Sequence, residues 1–459
     1  MKYIGCIAIL CMFLGGQLTT ASALPGPQKI TLKNGLTVLW HQDNELPLVS
    51  FRLLIPGAGS AYEGADGLAD LTAAMLLKGT RQKPAAQIAE ELDRLGVSLR
   101  CTAQEEFLEI AGTALAENFS RLLTLTTDCL LHPAFNPDEF TKERQRRSDA
   151  IQAVKDEPQQ AIRHYFRKFY FGNHPLGSLK IGTPSQLERM TVEMVRAFYN
   201  RNLRPERAII AVCGQVARRE LDRLLGATLG RWSRSEKPLP ALDLPTYPQV
   251  SRKTCLLVDK PDASQAYFIL GVPGLKTGSE ISPQAQVMNT LFGGRFTSWL
   301  NSELRIKRGL TYGAGSTLQS WRQNGIYTIS SYTKNDKIGE MLTVTFELLA
   351  KAQKQGFTAM EVESARNYIL GQFPPSLESL ASKSRAYTEL SFYQLGFSYY
   401  DRLLEKVARS DSDTINRIAR TLLPGENYIL VVIGKADDIR QQLAPFGQFQ
   451  EKKISARDF

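Results

Sequence analysis

Only four histidines are available to bind a metal or move a proton in this chain of 459 residues: His41, His132, His164 and His174. No two of them lie three or four positions apart, the spacing that sets two ligands on one helix face. Each reads as a surface or packing histidine. The serines form no G-x-S-x-G elbow, Gly293-Gly294-Arg295 is no phosphate loop, and no Cys/His constellation stands out. The run Leu304-Arg305-Ile306-Lys307-Arg308-Gly309-Leu310-Thr311-Tyr312 holds an arginine and a tyrosine seven positions apart, a pair that spacing alone does not single out. A guanidinium offers fixed, permanently charged donors and a phenol can donate a hydrogen bond. On residue type alone, Arg305 reads as an exposed helix arginine and Tyr312 as a strand-edge aromatic.

The elements that must position such groups come in blocks. Ile30-Thr31-Leu32 and Leu36-Thr37-Val38-Leu39 flank Asn34-Gly35, a hairpin signal. Helical patterns follow over 67–80 and 85–95, then strands near 97–102 and 107–113. Long helices are expected over 116–131, 137–155 and 159–171. The chain also repeats itself. Phe51 to Ile55 is an apolar strand closed by Pro56-Gly57, and Phe268 to Val272 is closed by Pro273-Gly274. Pro205 precedes the apolar run Ala208 to Cys213, as Pro424 precedes Ile429 to Ile433. Pro56 to Pro205 spans 149 positions and Pro273 to Pro424 spans 151. Two landmarks at matching separation predict duplicated domains. Strands separated from runs of helices predict an α+β fold, each domain a largely antiparallel sheet packed with helices. The expected domains are 24–232 and 252–459. Residues 233–251, with Pro238, Pro240, Pro245 and Pro248, are the expected extended linker.

The first 23 residues predict a leader. Lys2 is a short basic start, Ile4 to Leu18 is apolar, and Ala21-Ser22-Ala23 is a small-residue cleavage pattern. An uncleaved anchor is the alternative, disfavoured by the short apolar run and the polar Thr19 and Thr20. The expectation is an exported protein, periplasmic in a two-membraned bacterium, where disulfides are permitted. Cys101, Cys129, Cys213 and Cys255 follow the leader without a C-x-x-C pair. Cys213 reads as a buried thiol, and a disulfide among the four stays open. The net charge of +10 is modest for this size. The cluster Arg144-Gln145-Arg146-Arg147 and the mixed run Glu303-Leu304-Arg305-Ile306-Lys307-Arg308 lack aromatic interleaving, so they read as solvated helix faces and not as a nucleic-acid groove.

The segment Gly67-Leu68-Ala69-Asp70-Leu71-Thr72-Ala73-Ala74-Met75-Leu76-Leu77-Lys78-Gly79-Thr80 resembles the zinc helix of the insulinase/pitrilysin/mitochondrial-processing-peptidase family. That family's H-x-x-E-H sets two zinc ligands and a general base on one helix. Here those positions read Asp70, Ala73 and Ala74. The resemblance continues through Phe135-Asn136-Pro137-Asp138-Glu139-Phe140, Lys142-Glu143-Arg144, His174-Pro175-Leu176-Gly177 and Ile181-Gly182-Thr183. In the second half, Leu291 to Leu300 leads into a stretch resembling the family's L-R-x-x-x-G-L-x-Y signature, carried by Arg305 and Tyr312. The family's third ligand, about 76 residues beyond the second histidine, falls on Ala150, and Asp149 is rotated away by one helical step of about 100°. The resemblance implies half of a four-domain clamshell with no metal in this chain. Zinc belongs to a similar-sized partner, to which Arg305 and Tyr312 are supplied in trans for contacts to substrate and oxyanion. Extended peptides are the implied substrates, adding to a sheet edge.

Two classes of function follow. One is a non-catalytic subunit of an exported heterodimeric zinc metallopeptidase. The other is a non-enzymatic peptide-binding or scaffold protein of the same fold. A metal site rebuilt around Asp70 is a remote third.

Overall fold

The computed structural model describes residues 23–247 and 249–459; the expected leader thus lies outside the described residues, apart from Ala23. In the first half the strands are β1 (Gln28–Thr31), β2 (Thr37–Gln42), β3 (Leu48–Pro56), β4 (Ser98–Ala103), β5 (Phe107–Leu115) and β6 (Ile209–Gly214). Between β3 and β4 run α1 (Leu68–Leu76) and α2 (Ala85–Leu95). Between β5 and β6 run α3 (Phe119–Leu131), α4 (Pro137–Asp156), α5 (Pro158–Phe171), α6 (Pro184–Arg189) and α7 (Val192–Asn202), and α8 (Arg218–Ala227) closes the half. The second half has β7 (Thr254–Asp259), β8 (Gln265–Pro273), α9 (Ser282–Asn289), β9 (Ala314–Ser320) and β10 (Gly325–Lys334). There follow α10 (Ile338–Lys354), α11 (Ala359–Ser376), α12 (Leu380–Phe392), α13 (Tyr399–Ala408), α14 (Ser412–Leu422), β11 (Ile429–Gly434), α15 (Ala436–Leu443) and β12 (Phe449–Lys453).

The duplication read from the two Pro-Gly strands is present in three dimensions. The sheets run β1-β2-β6-β3-β5-β4 and β12-β7-β11-β8-β10-β9. Pro56 pairs with Phe107 and Pro273 with Ile326, so the two sheets share one register through their central strands. Each sheet is mixed. β2 lies parallel to β6 and β7 parallel to β11, while the strands from β3 to β4 and from β8 to β9 are antiparallel. The copies differ at one edge. The predicted hairpin supplies β1, with Gly35 at φ 90°, whereas β12 comes from the far end of the chain and lies parallel to β7. A positive φ is what glycine permits at such a turn.

Strands buried on both sides need two covers, and each half borrows one from the other. Helix α12 lies on β3 and β6 of the first sheet, where Ala386, Tyr387 and Leu390 join Leu39, Leu54 and Ala211 in one buried cluster. Helix α5 lies on β8 and β11 of the second sheet, its Ala161, Ile162 and Phe166 packing with Ile269, Val431 and Ile433. Gly271 lets this happen, since a Cβ there would collide with the Phe166 ring. The exchange is fastened by charge as well. Arg52, buried on β3, donates to Glu109 on β5 (2.9 Å), and to Thr388 and Glu389 on α12 (both 3.1 Å).

The proline-rich stretch 233–251 carries no helix or strand among its described residues, yet it is strapped down. Arg204 donates to the Ser235 and Lys237 carbonyls, Tyr62 to Leu242 (2.9 Å), and Tyr247 to Gly325 (3.0 Å). Its backbone acceptors are met by side chains because no sheet partner meets them. The halves are therefore predicted to unfold together: calorimetry of the full chain should give one transition. A fragment ending at residue 232 lacks the cover of its sheet and should show no cooperative transition of its own.

Candidate functional site

Helix α1 carries the degenerate motif and is held at its N-terminus by a buried carboxylate. Glu63 accepts from the amides of Gly67 (3.0 Å) and Ala69 (2.7 Å) and from the Ser178 hydroxyl. These are the donors a helix start leaves unpaired. Burial pushes the Glu63 carboxyl up to about 8, against the donors that favour its charged form. The folded chain thus holds this proton where the unfolded chain has released it, so Glu63 makes stability fall as pH rises from about 4.5 to about 8.

One turn into α1, Asp70 meets an arginine. Its Oδ2 takes Arg147 Nη1 at 2.8 Å, its carbonyl takes Arg147 Nη2 at 3.0 Å, and its Oδ1 takes the Ala103 amide of β4 at 3.3 Å. Arg147 is only 9% exposed. It therefore does not sit on the solvated face expected for the 144–147 cluster. Glu143, one turn earlier on α4, is also buried and pairs with Lys78 (2.9 Å) and Arg146 (2.7 Å). Asp70–Arg147 and Lys78–Glu143 thus stitch two antiparallel helices by their facing stripes. The signal was present in sequence: Phe140, Glu143, Arg147 and Ile151 recur at helical spacing, and all four are buried.

The other positions of the motif carry no donor atoms. Ala73 is fully buried in the core, Ala74 is half-buried and Ala150 is exposed. Asp149 is also exposed and accepts from Gln145 (2.8 Å), so it points away from α1. A zinc site needs three protein ligands. Here a single carboxylate stands in place of the set, and an arginine already neutralises it. These residues do not fit zinc. No group of three or more His, Cys, Asp or Glu among the described residues could hold a metal ion. Cys101, Cys129, Cys213 and Cys255 all carry free thiols.

Arg305 and Tyr312 lie elsewhere, and no contact joins them to Asp70 among the described residues. Arg305 sits on a π-helical segment, Asn301–Lys307, anchored by buried Leu304 and by Asn301, which accepts from the Ala314 amide (3.1 Å). Such segments are frequent at functional sites. The guanidinium lies 4.7 Å from the centre of the Phe296 ring and makes no hydrogen bond or ion pair among the described residues. Phe296 is itself 60% exposed. Tyr312 is 80% exposed at the tip of a turn, where Thr311 accepts from the Gly313 amide (3.1 Å) and Ser331 donates to the Gly313 carbonyl (3.0 Å). The turn is pinned while the phenol is presented. The sequence does not single out Phe296, because one aromatic eight residues before the signature's first leucine carries no signal by itself.

Two outcomes are expected. Asp70→Ala should lower stability by about 1.5–3 kcal/mol in denaturant titration, the range for a hydrogen-bonded charge left without its partner. Writing the ligands back, as Asp70→His, Ala74→His and Ala150→Glu, should yield a chain that retains zinc through dialysis only when Arg147 is also replaced, as Arg147→Ala. The guanidinium otherwise sets a positive charge beside the cation.

Comparison with known proteins gives the family and the fold. Residues 37–184 match the family model described as insulinase (peptidase family M16), and residues 189–369 match the one described as peptidase M16 inactive domain. The chain is 25% identical over 419 residues to the uncharacterized zinc protease YmxG of Bacillus subtilis, covering 90% of this chain and 99% of that one. To an uncharacterized zinc protease of Rickettsia bellii it is 28% identical over 358 residues, 77% and 84% of the two chains. Its fold superposes on the crystal structure of a peptidase M16 inactive domain from Pseudomonas fluorescens with a TM-score of 0.82 at 22% identity, covering 89% and 98%. For a protease from Helicobacter pylori the TM-score is 0.84 at 20% identity, covering 90% and 100%. The chain belongs to the insulinase family of peptidases, family M16.

Proposed function

We propose that this chain is the non-catalytic subunit of an exported heterodimeric zinc metallopeptidase. It supplies Arg305, Tyr312 and one wall of a peptide chamber to a zinc-bearing partner of similar size. The observation that carries this reading is an asymmetry. On α1 the ligand positions are spent: Asp70 is neutralised by Arg147, and Ala73, Ala74 and Ala150 offer nothing. On the Arg305 side nothing is spent, since its donors have no partner among the described residues and an exposed ring stacks against it. A guanidinium held over an aromatic face, beside exposed Phe296, Ile306 and Tyr312, suits a surface completed by another molecule.

Substrates in this reading are extended peptides that pair with a sheet edge in the partner. Strand β4, at the edge of this chain's own first sheet, is a poorer template, because its Ala103 amide already donates to Asp70. Export is part of the proposal and rests on the sequence of residues 1–23. No helix among the described residues is long and apolar enough to cross a membrane.

The test mixes the purified chain with a chain from the same organism that carries an intact H-x-x-E-H, and follows a quenched fluorescent peptide. Neither chain alone should cleave at the rate of the mixture, which should elute as a heterodimer holding one zinc. A zinc-free homodimer that binds peptide, and accelerates no zinc-bearing chain, would support the scaffold reading instead.

A further inference from the structure

The exchanged helices leave a trough on each sheet, where the outer strands run out from under their cover. Beside α12, a cavity of about 690 Å³ lies over β3, β5 and β4; beside α5, one of about 430 Å³ lies over β8, β10 and β9. The shared register makes them counterparts, with Arg52, Glu109 and Gln104 of the first standing where Ile269, Thr328 and Gln319 stand in the second. Their charges differ. In the larger trough the carboxylates of Glu105, Glu106, Glu109 and Glu389 outnumber Arg52, Arg100 and Arg385. Arg52 and Arg385 are consumed by Glu109 and Glu389.

In the smaller trough the balance reverses. Arg163, Arg167 and Lys180 face Glu105 alone. Glu105 pairs with Arg167 Nη1 (3.1 Å) and Lys180 (3.3 Å), which leaves Arg167 Nη2 buried without a hydrogen-bond partner. Arg163 is exposed and unpaired among the described residues. His164 adds no charge at neutral pH, since burial and the two arginines hold its imidazole down to about 4. Opposite the arginines stand the hydroxyls of Thr328 and Ser330, and between the walls lie Phe166 and Ile269. Strand β9 forms the rim and is the last strand of its sheet; its Ala314 amide is taken by Asn301, while the amides of Ser316, Leu318 and Ser320 make no hydrogen bond among the described residues and can meet an added strand.

We infer that this trough binds the C-terminal carboxylate of an extended peptide, with the last side chain against Phe166 and Ile269 and the backbone along β9. Unspent guanidinium donors suit a carboxylate, and a small apolar floor suits one side chain. The edge strand favours a peptide over a free organic acid. The inference concerns this chain by itself and stands whether or not it pairs with a peptidase.

The experiment uses the full chain alone at low salt and an apolar hexapeptide labelled at its N-terminus, read by fluorescence anisotropy. The free acid should bind at least about tenfold more tightly than the same peptide ending in an amide, the size of one charge-assisted hydrogen bond. Arg163→Glu should erase that difference without moving the melting temperature, because the side chain is exposed and unpaired. Arg219→Glu, an exposed site on α8, makes the same change in net charge and should leave binding intact. Equal affinity for acid and amide, absence of saturable binding, or equal effects of the two variants would overturn the assignment.

Discussion

Neither sheet of this protein can bury both faces with helices of its own half. Helix α12 closes the first sheet over Leu39, Leu54 and Ala211, and α5 closes the second over Ile269, Val431 and Ile433. Each large apolar face is removed from water only when the other half is folded, and burial of that kind dominates the stability of a domain. The buried arginine at the seam, Arg52, makes the dependence polar as well as apolar, since its partners Glu109 and Glu389 come from different halves. Each copy of the domain completes the cover of the other. The fixed relation between the degenerate helix, the signature arginine and the two troughs follows from that exchange.

Within this frame, the loss of the metal ligands has not left a hole. Asp70, Arg147, Lys78 and Glu143 hold α1 to α4 and to the edge of β4, tying together elements that a metal bound at the motif would also join. An ion pair of this kind fixes geometry more than it adds stability, because partial burial costs each charge much of what the contact returns. The motif helix has been kept as architecture. In the second half, Arg305 stacks on Phe296, and Tyr312 stands exposed on a turn braced by Thr311 and Ser331.

Much of the fold was legible because its strands announce themselves. The apolar runs closed by Pro56-Gly57 and Pro273-Gly274 are β3 and β8, and the helices expected over 85–95 and 137–155 fall at α2 and α4. What was not legible depends on partners distant in sequence. Nothing in the pattern of 158–171 or 380–392 says which sheet the helix covers. Strand β12 is almost wholly polar, so its place beside β7 is decided by tertiary pairing. Arg147 shows the opposite failure. Three arginines within four residues read as a solvated face, although the spacing of Phe140, Glu143, Arg147 and Ile151 already placed this one on the buried stripe. For the candidate site, Arg305 and Tyr312 were visible through resemblance, whereas the stacking of Phe296 and the charge imbalance beside α5 needed the assembled chain.

Whether Arg305 acts on substrate held by another chain is decided by separating assembly from turnover. In the reconstituted heterodimer, Arg305→Ala should leave the affinity between subunits within a factor of about two while lowering kcat/KM by on the order of 10², as expected when a donor to a developing oxyanion is removed. An unchanged kcat/KM, or a loss explained wholly by weaker assembly, would show that Arg305 does not act in this way.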